Sequence, residues 1–511
     1  MTTTRPERNG AQAQPSNPDR IRGARVWLYA LGGALLYFLM AAYYVNNGEV
    51  NADEGFYAYA SHSAMHGRVP YRDFAYSQMP ALPYLQGPFL ALTGYGVRQQ
   101  RWLNAGLGAA AVFVAVTLYQ TAGLTLLATL TLVLVWSLTP WLVYHDTIGK
   151  TYAMTQLLLV AAGSLLISNW APRRKLAWLS LFSVLAVGCR LTVAPAVVVL
   201  WCGLVHAEGR RLSPTLMLGV PVLIALLLIG PFFAGSENAL FWSWNYHLQS
   251  LVPASRLKLL GQSFAAFPAV SVLVLGTLTL MLTRRVGAGS PAGWIFWAGI
   301  TGWISSVGLT GVYVDYAVPV IPLLLLGIGA LIAAARLNPR QLLPGAALAA
   351  GALAFGFMQG EHFLVPGYLD SVDETVAYLR QRSAPTDTIL SPMPEIPLEA
   401  GRPVFPGMEM GKFALTAEMD EATARRRHIV TADRLWLAID RQEAPIIVLS
   451  NFLTWNFHWT IPSLRPARPE HYQQWVDLLL ARYDCVKITR NFIIFKVHDP
   501  ANARVPINLN P

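Results

Sequence analysis

Adjacent carboxylates, Asp53 and Glu54, open the stretch of this chain richest in reactive groups, NADEGFYAYASHSAMHGRVPYRDFAYSQMP from Asn51 to Pro80. His62, His66, Asp73, Arg68 and Arg72 follow within it, interleaved with aromatics such as Tyr57. A carboxylate beside an acceptor hydroxyl serves as a general base, and its neighbour orients substrate or tunes it. A second acidic site, His145-Asp146, stands in WLVYHDTIGK just before Lys150. Two acids converging on one cavity would share acid–base work, or hold a divalent metal with an imidazole. No ligand spacing here is diagnostic of a metal, so no cofactor is required by the pattern. Solvated interfacial carboxylates and a polar helix–helix turn are the plainer readings of the same residues.

Cations form the complementary set. Arg190 interrupts a long apolar run, and Lys150, Arg98 and Arg101 join it on the side of the membrane where basic residues are disfavoured. An anionic substrate explains such a set, a phosphate above all, because guanidinium matches phosphate in a bidentate contact. Pairing with protein carboxylates or lipid headgroups is the competing explanation. The segment ENALFWSWNYHLQ brings Trp244 and His247 together with further aromatics, to stack on a sugar ring or to form an interfacial belt. Tyr313, Asp315 and Tyr316 precede Pro319 and Pro322 and stand where they could close a cavity.

The elements that must position these groups are membrane helices. The chain is 54% hydrophobic and 13% charged over 511 residues, and its mean hydropathy is +0.40. A soluble protein carries roughly a quarter charged residues. The net charge of +10 does not indicate nucleic acid, because the basic residues lie in short clusters between apolar runs. Residues 1–24 read as a polar, disordered cytoplasmic terminus, and residues 25–360 as about eleven spans. With that count Arg20, Arg22 and Arg25, then Arg173 to Lys175, Arg210-Arg211, Arg284-Arg285 and Arg336 with Arg340 all fall on the cytoplasmic side. Residues 47–100 then form a first outer loop, and the unusual polar features face outward with it.

One region departs from ordinary spans. Leu176 to Val205 is interrupted only at Gly188-Cys189-Arg190. Two helices sharing about thirty residues are each too short to cross, so their junction dips below the surface with Arg190 at its tip. From residue 361 the composition turns polar, and alternating helix and strand patterns predict a small extracytoplasmic α/β domain to residue 511. Helices are expected at Asp373–Arg382, Asp433–Arg441 and Tyr472–Tyr483, and strands at Thr388–Leu390, Ile446–Leu449, Val486–Thr489 and Phe492–Val497. Cys189, Cys202 and Cys485 suggest neither a disulfide framework nor a thiolate site.

The run NADEGFYAYASHSAMHGRVPYRDF, then QMPALPY, then VRQQRWLNAGLG, resembles the first outer loop and second-span start of GT-C membrane glycosyltransferases. The resemblance is closest to the branch of protein O-mannosyltransferases and the lipid A aminoarabinose transferase. It rests on Asp53-Glu54, Tyr57, Gly67, Asp73, Pro80 and Arg101; HDTIGK resembles the second acidic site and maps it to Asp146. The buried basic position that is often lysine in relatives is Arg190 here, and YAVPVIPLL is similar to the tenth-span start. About residues 25–335 are covered; no tryptophan-aspartate motif of the oligosaccharyltransferase branch opens the C-terminal region.

The resemblance implies a multi-pass protein of the cytoplasmic (inner or plasma) membrane that takes a sugar from a polyprenyl-phosphate carrier. The sugar passes to a hydroxyl of an envelope glycan, lipid or protein on the extracytoplasmic face. Asp53 is then the base, Glu54 and Asp146 assist, and Arg190 with Lys150 or Arg101 steadies the phosphate. His145, Tyr57, Asp73, Trp244, His247 and Tyr313 become candidate substrate contacts, and membrane lipids are the surrounding partner. A transporter or flippase of lipid-linked sugars would use the same cations without a base; a non-catalytic assembly protein would need no shared cavity.

Overall fold

A computed structural model describes residues 18–249, 256–283, 285–308, 313–416, 419–450, 469–500 and 504–506. Helices α1 (Pro18–Asn47), α4 (Val97–Thr121) and α9 (Ala194–Glu208) mark the long apolar runs. Among the described residues three helices are long and apolar enough to cross a membrane unaided, or up to five if each sharply bent pair is one span. Shorter apolar helices, Tyr152–Ile167, Pro214–Leu228 and Ile321–Ala335, complete the set. α1 begins at Pro18, inside the stretch expected to be a disordered terminus. Proline suits the first helical turn, where its missing N–H would have no intrahelical partner. Residues 1–17 lie outside the described set.

Proline and small residues shape the bundle. Pro140 follows extended Thr139 and bends α5 (Leu126–Leu138) against α6 (Pro140–Thr147) by 59°. Pro268 similarly separates Arg256–Ala266 from Pro268–Leu282 at 96°. Helices Pro291–Gly308 and Ile321–Ala335 meet backbone to backbone at two glycines. A Cβ on Gly299 would stand 2.6 Å from Leu324 Cα, and one on Gly327 2.5 Å from the Phe296 nitrogen. Close approach through small residues is how membrane helices gain dispersion contact where lipid offers no hydrophobic drive.

The interrupted run behaves as its spacing predicts. α8 (Pro172–Cys189) stops at Arg190, whose backbone is extended (φ −150°, ψ 111°), and a 3-10 turn at Leu191–Val193 leads into α9. On the opposite side of the break, Lys175 pairs with Glu208 at 2.9 Å, tying the far ends of α8 and α9.

Residues 47–100 are not an open loop. They fold into α2 (Glu54–Met65) and α3 (Ala81–Thr93), joined by the segment 66–80. The aromatic segment read as a loop is helical too: Asn238–Leu240, a π turn at Phe241–Asn245, then Tyr246–Gln249. Its i, i+3 and i+4 aromatics pack as a helix face, with Trp242 fully buried.

Beyond Tyr368 strands and helices alternate. β1 (Ile389–Leu390) pairs in parallel with β4 (Ile446–Ser450), which pairs antiparallel with β6 (Phe492–Val497), itself hairpinned to β5 (Tyr483–Ile488). The sheet order is β1-β4-β6-β5; β2 (Leu415–Thr416) and β3 (Val430–Thr431) form a separate parallel pair. β4 is buried along its whole length, with Val372, Leu379 and Ile396 on one face and Leu435, Ile439 and Leu479 on the other. A strand covered on both sides reads as a continuous apolar run rather than an alternation, as Ile446 to Leu449 does.

This region is stitched to the membrane helices. Glu49 N–H donates to Phe363 O at 3.0 Å, and Val365 N–H donates to Asn47 O at 2.9 Å. Val97 N–H, opening α4, donates to Glu399 at 2.9 Å, and Arg98 pairs with Asp373 at 2.9 Å.

Candidate active site

Asp53 stands at the N-cap of α2, yet its carboxylate does not cap the helix. Asn51 Oδ1 accepts the Asp53 N–H at 3.1 Å and fixes the turn, leaving Asp53 Oδ2 3.0 Å from Lys150 Nζ. Lys150 sits in the tight turn after α6, where Ile148 O accepts both its N–H at 2.7 Å and the Asn104 amide at 2.6 Å. Its ammonium also lies 3.3 Å from Asp315 Oδ2. Asp315 in turn accepts the Tyr152 hydroxyl at 2.8 Å and faces His145 Nε2 at 4.0 Å. Burial alone would push the Asp315 carboxyl up, but Lys150 and His145 hold it below the ordinary range, at about 2. The result is a cation bridging two carboxylates.

Arg190 lies beside this bridge. Its guanidinium carbon is 4.7 Å from the Tyr152 ring centroid and 4.4 Å from that of Tyr316, so two phenol faces sandwich it. Its only side-chain hydrogen bonds among the described residues go to hydroxyls, Thr192 at 3.1 Å and Thr151 at 3.3 Å. It is 3% exposed and has no carboxylate within ion-pair distance among the described residues. Among the described residues no carboxylate pairs with it directly, and Asp315 acts on it only from beyond ion-pair distance. Lys150 Nζ is 5.5 Å from the same Tyr152 ring, so both cations flank one aromatic plate.

Glu54 has a different environment from its neighbour. It is fully buried, and Arg101 grips it through Nε at 2.8 Å and Nη2 at 2.6 Å. Its oxygens also accept the N–H groups of Asn51 at 2.8 Å and Gly149 at 2.9 Å. Arg101 uses its remaining donors on Gly48 O at 3.0 Å and Glu49 O at 2.6 Å. Every strong hydrogen-bonding group of this pair is engaged by protein. The pair ties the end of α1, the start of α2, α4 and the Lys150 turn at one point.

Asp146 is not brought to Asp53. It points into the bundle, where Tyr37 from α1 and Gln156 from α7 (Tyr152–Ile167) donate to its Oδ2, and its Oδ1 has no hydrogen-bond partner among the described residues. The carboxylate that reaches Lys150 instead is Asp315. Among the remaining candidates, Tyr57 is 2% exposed and in electrostatic reach of Asp53, Lys150 and Arg190. His247 shares that neighbourhood while its ring bonds Ser77 O. Asp73 braces its own loop by accepting from Arg72 at 2.9 Å and Val69 N–H at 2.7 Å. Trp244 is 51% exposed and Tyr313 45%; the Tyr313 ring lies 5.7 Å from that of Tyr316. Arg98 serves the Asp373 contact. Among the described residues no three His, Cys, Asp or Glu side chains gather to hold a metal.

Tyr152, Tyr316 and Asp315 are the site residues sequence reasoning underweighted. Their signal was positional: Tyr152 follows Lys150 by two, and Asp315 sits between tyrosines ahead of Pro319.

These features define a multi-pass helical membrane protein with a polar site at one end of the bundle, under a strand-containing cap. Two solved structures share its fold. The crystal structure of ArnT from Cupriavidus metallidurans bound to undecaprenyl phosphate superposes with a TM-score of 0.63 at 16% identity, covering 92% of this chain and 98% of that one. The apo structure of the same protein gives 0.62 at 15% identity, covering 93% and 98%. The chain therefore has the fold of these structures, in line with the fold that the resemblance of its sequence led one to expect. No protein-family model matches the sequence, and no curated protein does.

Proposed function

We propose that the chain is a membrane glycosyltransferase that moves a sugar from a polyprenyl-phosphate donor to an acceptor hydroxyl on the extracytoplasmic face. The observation that carries this reading is Arg190: a buried guanidinium, held between two tyrosine faces, with no carboxylate in ion-pair contact among the described residues. A buried cation without an anion is strongly disfavoured unless a ligand supplies the charge. A phosphate of a lipid carrier does so, and the likeness to a fold that binds undecaprenyl phosphate in ArnT supports that choice.

In the proposed reaction Asp53 accepts the proton of the acceptor hydroxyl. The oxygen attacks the anomeric carbon, the carbon–oxygen bond to phosphate breaks with inversion, and the lipid phosphate leaves with the electron pair. Arg190 and Lys150 meet the charge as it grows on that phosphate, where preorganised cations contribute most. Lys150 exchanges its bridge to Asp53 for the donor, so donor binding frees the base. Glu54 and Arg101 take a positioning part, holding Asp53 and Lys150 in register through Asn51 and Gly149. Asp315 holds Lys150. The reaction needs no metal in this scheme.

The test is transfer of label from radiolabelled polyprenyl-phosphate sugars to envelope extract by the purified protein in lipid nanodiscs. Transfer is expected in wild type and lost in Asp53→Asn. Undiminished transfer by that variant overturns the base; failure with every donor overturns the enzyme.

A further inference from the structure

A cavity of about 160 Å³ lies between α5 and the helices Pro268–Leu282, Ile321–Ala335 and Pro339–Phe357. Helix Ile321–Ala335 starts shortly after the turn that carries Asp315 and Tyr316 and runs ~22 Å. Ile332 and Leu337, which line the cavity, therefore stand at the end of the bundle away from Arg190. An apolar cavity of ~150 Å³ stays dry and admits a benzene ring, so this one takes about six carbons of a single hydrocarbon chain. Leu130, Leu275 and Leu343, each next in sequence to a lining residue, are exposed. The cavity thus borders the surface that meets lipid.

Glycine makes the room. Gly299 and Gly327 let two backbones touch, but a Cβ on lining Gly276 or Gly345 would meet no neighbouring group within 4 Å. Glycine inside a helix is destabilising relative to alanine, and at these two positions no close packing offsets it. Thr131 and Thr277 also line the cavity, and their hydroxyls turn back onto Leu127 O at 2.9 Å and Leu273 O at 2.8 Å. The interior is therefore apolar, while its far end is basic. Arg336 and Arg340 immediately precede the lining residues Leu337 and Gln341, and the Arg285 N–H donates to the carbonyl of lining Leu280 at 3.0 Å. All three arginines are exposed. The only carboxylate between residues 256 and 360 is Asp315, held by Lys150 near the other end, and α5 carries none.

We propose that this cavity and its arginines form a site for an anionic phospholipid of the bilayer, with one acyl chain entering the cavity and the phosphate on Arg336 and Arg340. Guanidinium groups suit a phosphate in bidentate contact, and basic pockets between membrane helices favour anionic headgroups. A zwitterionic headgroup brings an ammonium that the three arginines repel and that no carboxylate of these four helices receives at this end. A soluble anion has no use for the apolar interior. The site lies apart from Asp53 and Arg190, so it does not depend on the glycosyltransferase reading.

Native mass spectrometry of the full-length protein, delipidated in detergent, reads the site with dioleoyl phosphatidylglycerol and dioleoyl phosphatidylcholine, which share their chains. Phosphatidylglycerol is expected to bind at least tenfold more tightly. Arg336→Gln combined with Arg340→Gln should weaken it about tenfold, with Tm unchanged because both side chains are exposed. Gly345→Leu, which fills the cavity, should weaken both lipids. Arg173→Gln combined with Arg174→Gln, at a different basic cluster, should leave phosphatidylglycerol binding as in wild type. Glycerol phosphate, without chains, is expected not to bind, and undecaprenyl phosphate not to displace the phospholipid. Equal binding of the two lipids overturns the charge selection. Wild-type binding by Gly345→Leu, or an equal loss in the Arg173 and Arg174 variant, overturns the location. Tight binding of glycerol phosphate, or displacement by undecaprenyl phosphate, overturns the phospholipid as occupant.

Discussion

Lys150 stands 3.0 Å from the Asp53 carboxylate and is the only cation within ion-pair range of it among the described residues. The proposed base is thus occupied by an ammonium. Its release is then coupled to whatever draws Lys150 away, and a donor phosphate is suited to do that.

Asp53→Asn removes the proton acceptor while keeping size and hydrogen bonding. Transfer is expected to fall about 10²- to 10⁴-fold, the usual range for a general base. Donor binding, followed by equilibrium binding of undecaprenyl phosphate, should be retained. A variant that transfers normally would move the base elsewhere, Asp315 being the nearest alternative.

Arg190→Lys keeps the charge and gives up the planar group clasped by Tyr152 and Tyr316. A desolvated cation–π contact contributes about 2 kcal/mol, so donor affinity should weaken roughly thirtyfold. The loss should appear in donor Kd, with Arg190→Ala weaker still. Equal affinity in both variants would remove the phosphate from this position.

Breaking Glu54–Arg101 leaves a buried charge unpaired on either side. Glu54→Gln or Arg101→Ala should each cost about 3–5 kcal/mol of stability, read as a lowered Tm in detergent or nanodiscs. Replacing both with apolar residues of similar volume should recover part of it. A catalytic Glu54 would instead lose activity at unchanged Tm.

Two cap carboxyls make docking sensitive to pH. Burial pushes Glu399 up to about 7 and Glu395 to about 8, from an ordinary value near 4.5. The folded state thus holds protons that the unfolded chain has already released. Their stabilisation is full below about pH 4.5 and is lost as pH rises toward 7 and 8. Tm should fall across that window, and Glu399→Gln should flatten the fall. A Tm rising over the same range contradicts it.

The break at Arg190 was legible because apolar length is a one-dimensional property: too few residues were available for two full spans. The strands β4 and β6 were legible for a similar reason, as short β-branched runs bounded by polar turns. The choice between Asp146 and Asp315 was not. Consecutive helical residues point about 100° apart, so His145 reaches Asp315 while its neighbour Asp146 turns to Tyr37 and Gln156. A sequence places both residues at one helix end and says nothing of that rotation. Glu54 and Asp53 diverge likewise, and the partner of Glu54 lies 47 residues away.

The contact of Glu399 with the first N–H of α4, and of Phe363 and Val365 with the end of α1, has a wider meaning. These contacts fasten the strand-containing cap to the ends of α1 and α4, beside the point where Arg101 of α4 reaches across to Glu54 of α2. Cap position and the placement of Asp53 are thus one mechanical variable. A ligand that lifts the cap would displace the proposed base without touching it.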